Sequence, residues 1–337
     1  MFSLPVVLLA ACLSGYVLYR QIFAPNISSD EKEIYLLIPT GSSFEEVVNR
    51  LQKGGCLRDK ESFVWVARQM KYDRRVKPGR YRIRREMSNR QLVSLLRSGQ
   101  QSPVKLTFNN IRTASELAGI IGRKLEADSA ELAELFGDEK FLSGFGLTIE
   151  KGLCIIIPNT YEFYWNTSAR QFFQRMSREY GKFWTENRRK KAREAGLTPG
   201  EAVILASIVE KESQMPDERA TIAGVYMNRL RDDWKLEADP TLVFASGDFT
   251  IRRVLNEHKK IDSPYNTYLH KGLPPGPICI PSISSVDAVL NYEKHNYYYF
   301  CARDDFSGYH SFAKTYSDHL LNARRFQKEL NRRGIRS

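Results

Sequence analysis

Four times along the chain a hydroxyl residue is followed three positions later by Glu or Gln at the head of an apolar-periodic stretch. The pairs are Ser42 with Glu45, Ser88 with Gln91, Thr113 with Glu116, and Thr198 with Glu201. Each is a capping box, in which two side chains satisfy the free backbone N–H groups at a helix start. Helix starts are thereby fixed at intervals along the chain. Short runs rich in β-formers lie between them, at 34–39, around Tyr81 and Ile83, and at 297–300. A chain punctuated in this way is predicted to be α+β.

At 337 residues the length suits two domains. The segment 4–19 carries no charge, and Ile22-Phe23-Ala24 extends it past Arg20. A bilayer span takes ~20 apolar residues, so 1–24 is predicted to be a transmembrane anchor with Arg20 snorkelling to the interface. Leu9-Ala10-Ala11-Cys12 also reads as a lipoprotein box, but no basic residue precedes Arg20 and the apolar run continues past Cys12. A start codon further upstream would account for the missing charges. Residues 25–33 read as a polar linker. A small unit follows over 34–100: a strand, a helix with Phe44, Val47, Val48 and Leu51 on one face, a second helix at 60–70, a strand on which Tyr81 and Ile83 alternate with arginines, and a helix ending at Gly99. A strand–turn–helix at 104–125 loosely repeats the start of that unit. Residues 101–337 then form the second domain, helical over 129–195 and again from Pro199 and Pro216, with loops, short strands and a basic helix from Asp318 at the end.

Lysine and arginine number 51 against 39 acids, a net charge of +12, which points to an anionic partner such as headgroups, nucleic acid or wall peptides. The stretch 71–85 has eight basic residues and one acid, Asp73. With an anchor on the same chain, a face near an acidic membrane or wall polymer is expected there, and nucleic acid is not. The five cysteines never form CxxC, and the five histidines show no HExxH or similar spacing. No GxSxG elbow, phosphate-cradling loop or dinucleotide fingerprint is present. No metal or cofactor is expected, which leaves side-chain acid–base chemistry.

One carboxylate stands out. In Ala206-Ser207-Ile208-Val209-Glu210-Lys211-Glu212-Ser213, about 100° per residue places Glu212 between Ile208 and Val209, while Glu210 points well away, beside Ser207. A carboxyl among apolar side chains and near a helix C-terminus is favoured in its protonated form. That form is what general-acid cleavage of a glycosidic bond requires. A buried structural Glu tied to Arg219 or Arg229 fits the helix equally well.

Three further segments suit an elongated polar substrate. They are Leu236-Glu237-Ala238-Asp239-Pro240-Thr241; Ser263-Pro264-Tyr265-Asn266-Thr267-Tyr268, which leads into Gly272-Leu273-Pro274-Pro275-Gly276; and Tyr309-His310-Ser311-Phe312. Stiff prolines hold the backbone so that rings and amides need not be ordered on binding. Asn228, Glu237, Asp239, Thr241, Tyr265, Asn266, Thr267 and Tyr268 are the candidate substrate-binding residues, and Glu212 is the candidate catalytic one.

These motifs in this order resemble the endolytic murein transglycosylases, the YceG-like family. The matching runs are 206–213 (ASIVEKES), 225–230 (VYMNRL), 236–241 (LEADPT), 265–268 (YNTY), 272–276 (GLPPG) and Ile280-Pro281-Ser282. The resemblance implies a LysM-like module over 34–100, then a transglycosylase domain held by one helix on the periplasmic side of the inner membrane. It implies cleavage of nascent peptidoglycan strands between N-acetylmuramic acid and N-acetylglucosamine to leave 1,6-anhydro ends; cell-wall synthases are candidate partners, which the sequence itself does not identify. The family's catalytic Glu falls on Glu212. Where the family has an acid–glycine pair and a phenylalanine–proline–aspartate run, this chain has Lys151-Gly152 and Ile157-Pro158-Asn159, a departure from the family's acidic pattern at those two positions that leaves Glu212 untouched. Two rivals remain: a lysozyme-type hydrolase with Glu237 or Asp239 as second carboxylate, and a non-catalytic, membrane-tethered wall-binding scaffold.

Overall fold

The computed structural model describes residues 4–334. The chain forms two compact units, each discontinuous in sequence: residues 1–106, 121–128 and 161–168 in unit 1, and 107–120, 129–160 and 169–337 in unit 2. The architecture is mixed α+β with three two-stranded sheets among the described residues.

Unit 1 runs through α1 (Leu4–Phe23), β1 (Glu33–Ile38), α2 (Phe44–Lys53), α3 (Lys60–Gln69), β2 (Gly79–Arg84), α4 (Asn89–Ser98) and most of β3 (Val104–Thr107). β1 and β2 pair antiparallel with Leu36 opposite Tyr81 and Tyr35 opposite Arg82. That register turns Leu36, Ile38, Tyr81 and Ile83 into a core with Val47, Leu51, Phe63 and Leu92, and leaves the arginines of β2 outward. Ser88 and Gln91 cap α4 as expected, and Gly99 closes it in the left-handed conformation. The box on α2 sits one residue later than predicted, at Ser43 and Glu46. The Ser42 N–H is already donated to the Pro39 carbonyl (3.2 Å) in a turn that Gly41 makes at φ 83°. In the segment read as a linker, Asn26 and Ile27 are buried, and the Asn26 amide donates to the Asp59 carbonyl and to Asn89 Oδ1 at 2.7 Å each.

The expected anchor is a single helix, α1, with Met1–Ser3 outside the described residues. Among the described residues, however, no helix is long and apolar enough to cross a membrane. Ser14, Gly15, Tyr16, Tyr19, Arg20 and Gln21 dilute the apolar run of α1.

The remaining elements are α5 (Ala114–Gly122), α6 (Ser129–Gly137), α7 (Glu139–Ser143), β4 (Thr160–Phe163), α8 (Ala169–Phe183), α9 (Glu186–Glu194), α10 (Pro199–Glu212), α11 (Arg219–Arg231), α12 (Asp239–Ser246), α13 (Ile283–Leu290), β5 (Tyr299–Ala302), β6 (His310–Ala313) and α14 (Tyr316–Arg332). β4 pairs with β3, and β5 pairs antiparallel with β6, Phe300 opposite Phe312. The core of unit 2 gathers on α10, where every residue from Ala202 to Val209 is buried, against Ile222 and Tyr226 of α11 and Val286 and Val289 of α13. Each such aliphatic side chain contributes about 1.5–3 kcal/mol by leaving water. The sequence predicted one apolar face on this helix, yet Ser207 on the other face is equally buried. Its hydroxyl donates to the Ile204 carbonyl (2.6 Å) and accepts from the Ile278 N–H (3.0 Å), so its polarity is met inside the core.

Candidate active site

α10 positions the site. Thr198 caps it, accepting from the Glu201 N–H (3.2 Å) while Glu201 accepts from the Thr198 N–H (2.8 Å), and Pro199 pre-sets the first turn. Rigid burial along its length then carries the frame to Glu212, its last residue. Burial pushes the Glu212 carboxyl up to about 7. The Tyr226 hydroxyl opposes the rise by donating to Oε1 at 2.5 Å, the Asp239 charge adds to it, and Arg229 opposes it. Among the described residues nothing donates to Oε2, so that oxygen is free to carry a proton.

Neither arginine proposed as a structural partner pairs with Glu212. Arg219 lies 3.3 Å from Glu210, and Arg229 donates to the Leu236 carbonyl (2.7 Å) and the Tyr298 carbonyl (2.8 Å) with Glu237 3.6 Å away. Two residues before Glu212, Glu210 has the opposite fate. Burial raises its pKa too, but the Ser282 hydroxyl (2.5 Å), the Ser285 hydroxyl and Arg219 together outweigh this and hold it below the usual carboxylate range. One helix turn thus presents one carboxylate fixed as an anion and one poised to hold a proton.

Glu212 opens into a cavity of about 700 Å³ within unit 2. Asp239 lies in its wall, with Val243, Phe244, Ile251 and Ile278 as apolar surface. Its second polar face is basic: Arg112, Lys211, Arg252 and Arg253. Among the described residues no cluster of three His, Cys, Asp or Glu is placed to hold a metal ion.

The sequence-predicted residues divide into two groups. Asp239 reaches the cavity, and the Tyr268 hydroxyl donates to its Oδ1 at 2.6 Å. Tyr265 is half-buried against Phe244, ring centroids 4.6 Å apart, its phenol pushed up to about 12 by burial. An added Cβ at Gly276 would overlap the Glu150 carbonyl oxygen and come within 2.7 Å of the Tyr265 hydroxyl, so only glycine lets this turn close on Tyr265. The others are turned away from the cavity. Asn228 gives its amide to the His295 and Tyr297 carbonyls (2.9 Å each), and Asn266 gives its amide to Lys259 and Ile261 (3.1 and 2.8 Å). Thr241 and Thr267, both buried, bond each other at 2.9 Å, and Thr267 accepts from the Ala238 N–H at 3.0 Å. Glu237 is half-exposed at φ 48° and does not line the cavity. These five hold the surrounding chain in place, Asn228 from α11 and the other four around Asp239 and Tyr268, and none of them lines the cavity.

Arg112, Lys211, Arg252, Arg253 and His310 were missed as cavity residues. Of these only Lys211, in the run 206–213, and His310 lay in segments the sequence had marked. Its Nδ1 sits 2.8 Å from Glu218 Oε2 and its N–H donates to Glu218 Oε1 at 2.6 Å, which fixes the ring beside the site. Arg112 stacks over Phe249, 4.6 Å from the ring centroid, and Lys211 donates to Asn110.

The model of the YceG-like family matches residues 36–325 of this chain. An endolytic murein transglycosylase of Bacillus subtilis (strain 168) is 26% identical over 324 residues, covering 91% of this chain and 89% of that protein. One of Streptococcus pneumoniae serotype 2 (strain D39) is 28% identical over 343 residues, where this chain spans only 61% of the relative's length. A solved YceG-like protein from Listeria monocytogenes superposes with a TM-score of 0.58 at 26% identity, covering 86% of this chain and 98% of that one.

Proposed function

Since the chain belongs to the YceG-like family, we propose that it is an endolytic lytic transglycosylase of peptidoglycan, with Glu212 as its general acid and base. The observation that carries this reading is a carboxyl with a pKa of about 7, one oxygen anchored by Tyr226 and the other free, at the wall of an open cavity. Protonated Glu212 donates to the glycosidic oxygen as the bond from muramic acid C1 breaks through an oxocarbenium-like state. The carboxylate so formed takes the proton of the muramic acid C6 hydroxyl, whose oxygen closes on C1. The products are a free hydroxyl on the glucosamine side and a 1,6-anhydro end, with no water consumed and Glu212 protonated again. The Asp239 carboxylate supports the positive charge on the ring, and Phe244, backed by Tyr265, offers a flat apolar face to the sugar.

The test is digestion of uncrosslinked glycan strands followed by mass spectrometry of the ends. Anhydro ends from the wild type, with turnover reduced about 10²–10⁴-fold in Glu212→Gln, support the proposal; wild-type turnover in that variant refutes the role of Glu212. The presence of Asp239 in the same cavity favours a second reading, a lysozyme-type hydrolase, and reducing ends would select it.

Membrane attachment through α1 and a LysM-like role for 34–100 belong to the same proposal. The outward Leu8, Leu9, Leu13 and Leu18 of α1 are exposed and supply an apolar surface for attachment. Alkaline extraction of cell membranes tests the first, and retention of the protein on purified sacculi the second. Loss of the protein to the soluble fraction counts against attachment.

A further inference from the structure

The arginines of unit 1 are arranged rather than scattered. Strand alternation puts Arg80, Arg82 and Arg84 on the outward face of β2, while Tyr81 and Ile83 fill the core. Arg85 follows, and Arg90 stands on the first turn of α4. Two cavities of about 520 and 720 Å³ open along this face and share Arg84, Met87, Leu95 and Gln100, which makes them one groove. Glu86 is the single acid in its walls. Arg80 is fixed in place, stacked 3.4 Å from the Tyr35 ring centroid and donating to the Pro103 carbonyl at 2.8 Å. Among the described residues, the Arg84 and Arg85 guanidinium groups have no ion pair or hydrogen bond.

The groove begins where α1 ends. Arg90 lies over the ring of Phe23, 5.3 Å from its centroid, and the Asn89 amide donates to the Gln21 carbonyl at 2.9 Å. Beyond that junction α1 exposes Leu8, Leu9, Leu13, Val17 and Leu18. A nucleic acid or an anionic wall polymer would use the arginines and leave this apolar surface wet. A lipid surface offers phosphates and hydrocarbon side by side, and guanidinium groups match phosphate in two-point geometry.

We propose that this arginine groove docks the phosphate headgroups of anionic phospholipids, in concert with the apolar surface of α1. The docking is independent of the chemistry at Glu212 and does not require α1 to span the bilayer. The test compares binding of the whole protein to vesicles of phosphatidylcholine with binding to vesicles in which phosphatidylglycerol replaces part of it. Binding is expected to be tighter to the anionic vesicles, with a gain that shrinks as salt is added. Each arginine near such a surface is worth about fivefold in affinity, so Arg84→Ala with Arg85→Ala lowers the anionic-vesicle affinity about 25-fold. The same variant binds neutral vesicles as the wild type does, which also reports that α1 and unit 1 remain folded. Equal wild-type binding to both vesicle types overturns the proposal, as does an undiminished gain in the double variant. Tighter binding to a single-stranded oligonucleotide or an anionic wall polymer than to the anionic vesicles also overturns it.

Discussion

Glu212 and Glu210 are two residues apart in one helix, and their surroundings set opposite protonation. Raising the folded-state pKa of Glu212 from about 4.5 to about 7 means that the native state holds a proton the unfolded chain has released. Its stabilising contribution is full below about pH 4.5 and is lost as pH rises through about 7. On that scale the charged form costs on the order of 3 kcal/mol at pH 8. Glu212→Gln is therefore expected to be more stable than the wild type at pH 8 and no different near pH 4, read by urea unfolding at both. Activity should follow the acid form, with kcat/KM falling above about pH 7. Tyr226→Phe removes a hydrogen bond that lowers the pKa of Glu212, and Asp239→Asn removes a charge that raises it. The alkaline limb of the rate profile should move up in the first and down in the second. Movement of both limbs in the same direction would contradict these electrostatic assignments.

Between elements, Glu210 joins the end of α10 to the start of α13, where Ser282 is the N-cap, and brings Arg219 of α11 into the same cluster. Arg219 is buried, so Glu210→Ala leaves a guanidinium without its counter-charge in the protein interior. A loss of about 3–5 kcal/mol is expected, measured by chemical denaturation, with Glu210→Gln less severe. A change within experimental error would mean that Ser282 and Ser284, which also accept from Arg219 at 3.1 Å, suffice to hold it. This clamp was not legible in the sequence, because Glu210 and Ser282 are 72 positions apart and a helical wheel shows only where a side chain points. Caps were legible, since their partners are three residues apart: the boxes at Thr198 and Ser88 formed as read. Ser42 and Ser43 are each followed by Glu three positions on, and the preceding turn decided between them.

At the scale of the whole chain, the position of the acid could be read from its neighbours, whereas the substrate-contact residues could not be separated from residues that build the loop. Asn228, Asn266, Thr241 and Thr267 carry the same polarity whether they serve a ligand or a backbone carbonyl, and the fold commits them to the backbone. The basic wall joins Lys211, inside the marked run 206–213, to Arg112, Arg252 and Arg253, for which no functional motif was legible. All the residues that line the Glu212 cavity belong to unit 2. A fragment of residues 107–337 is expected to retain cleavage of soluble glycan. Segments 121–128 and 161–168 would lose their unit there, including the bonds from Thr40 to Glu126 (2.6 and 2.7 Å), and should be the first sites cut by trypsin or chymotrypsin. Resistance of both segments in the fragment would mean that they fold without the rest of unit 1.

The same discontinuity bears on biosynthesis. The last stretch of unit 1 trails Leu106 by roughly sixty residues, so at ~5–20 residues per second a nascent chain waits about 3–12 s before that unit can close. During this interval the leading helix and the arginine strand have already emerged, and a nearby bilayer could engage them before the polypeptide has finished folding.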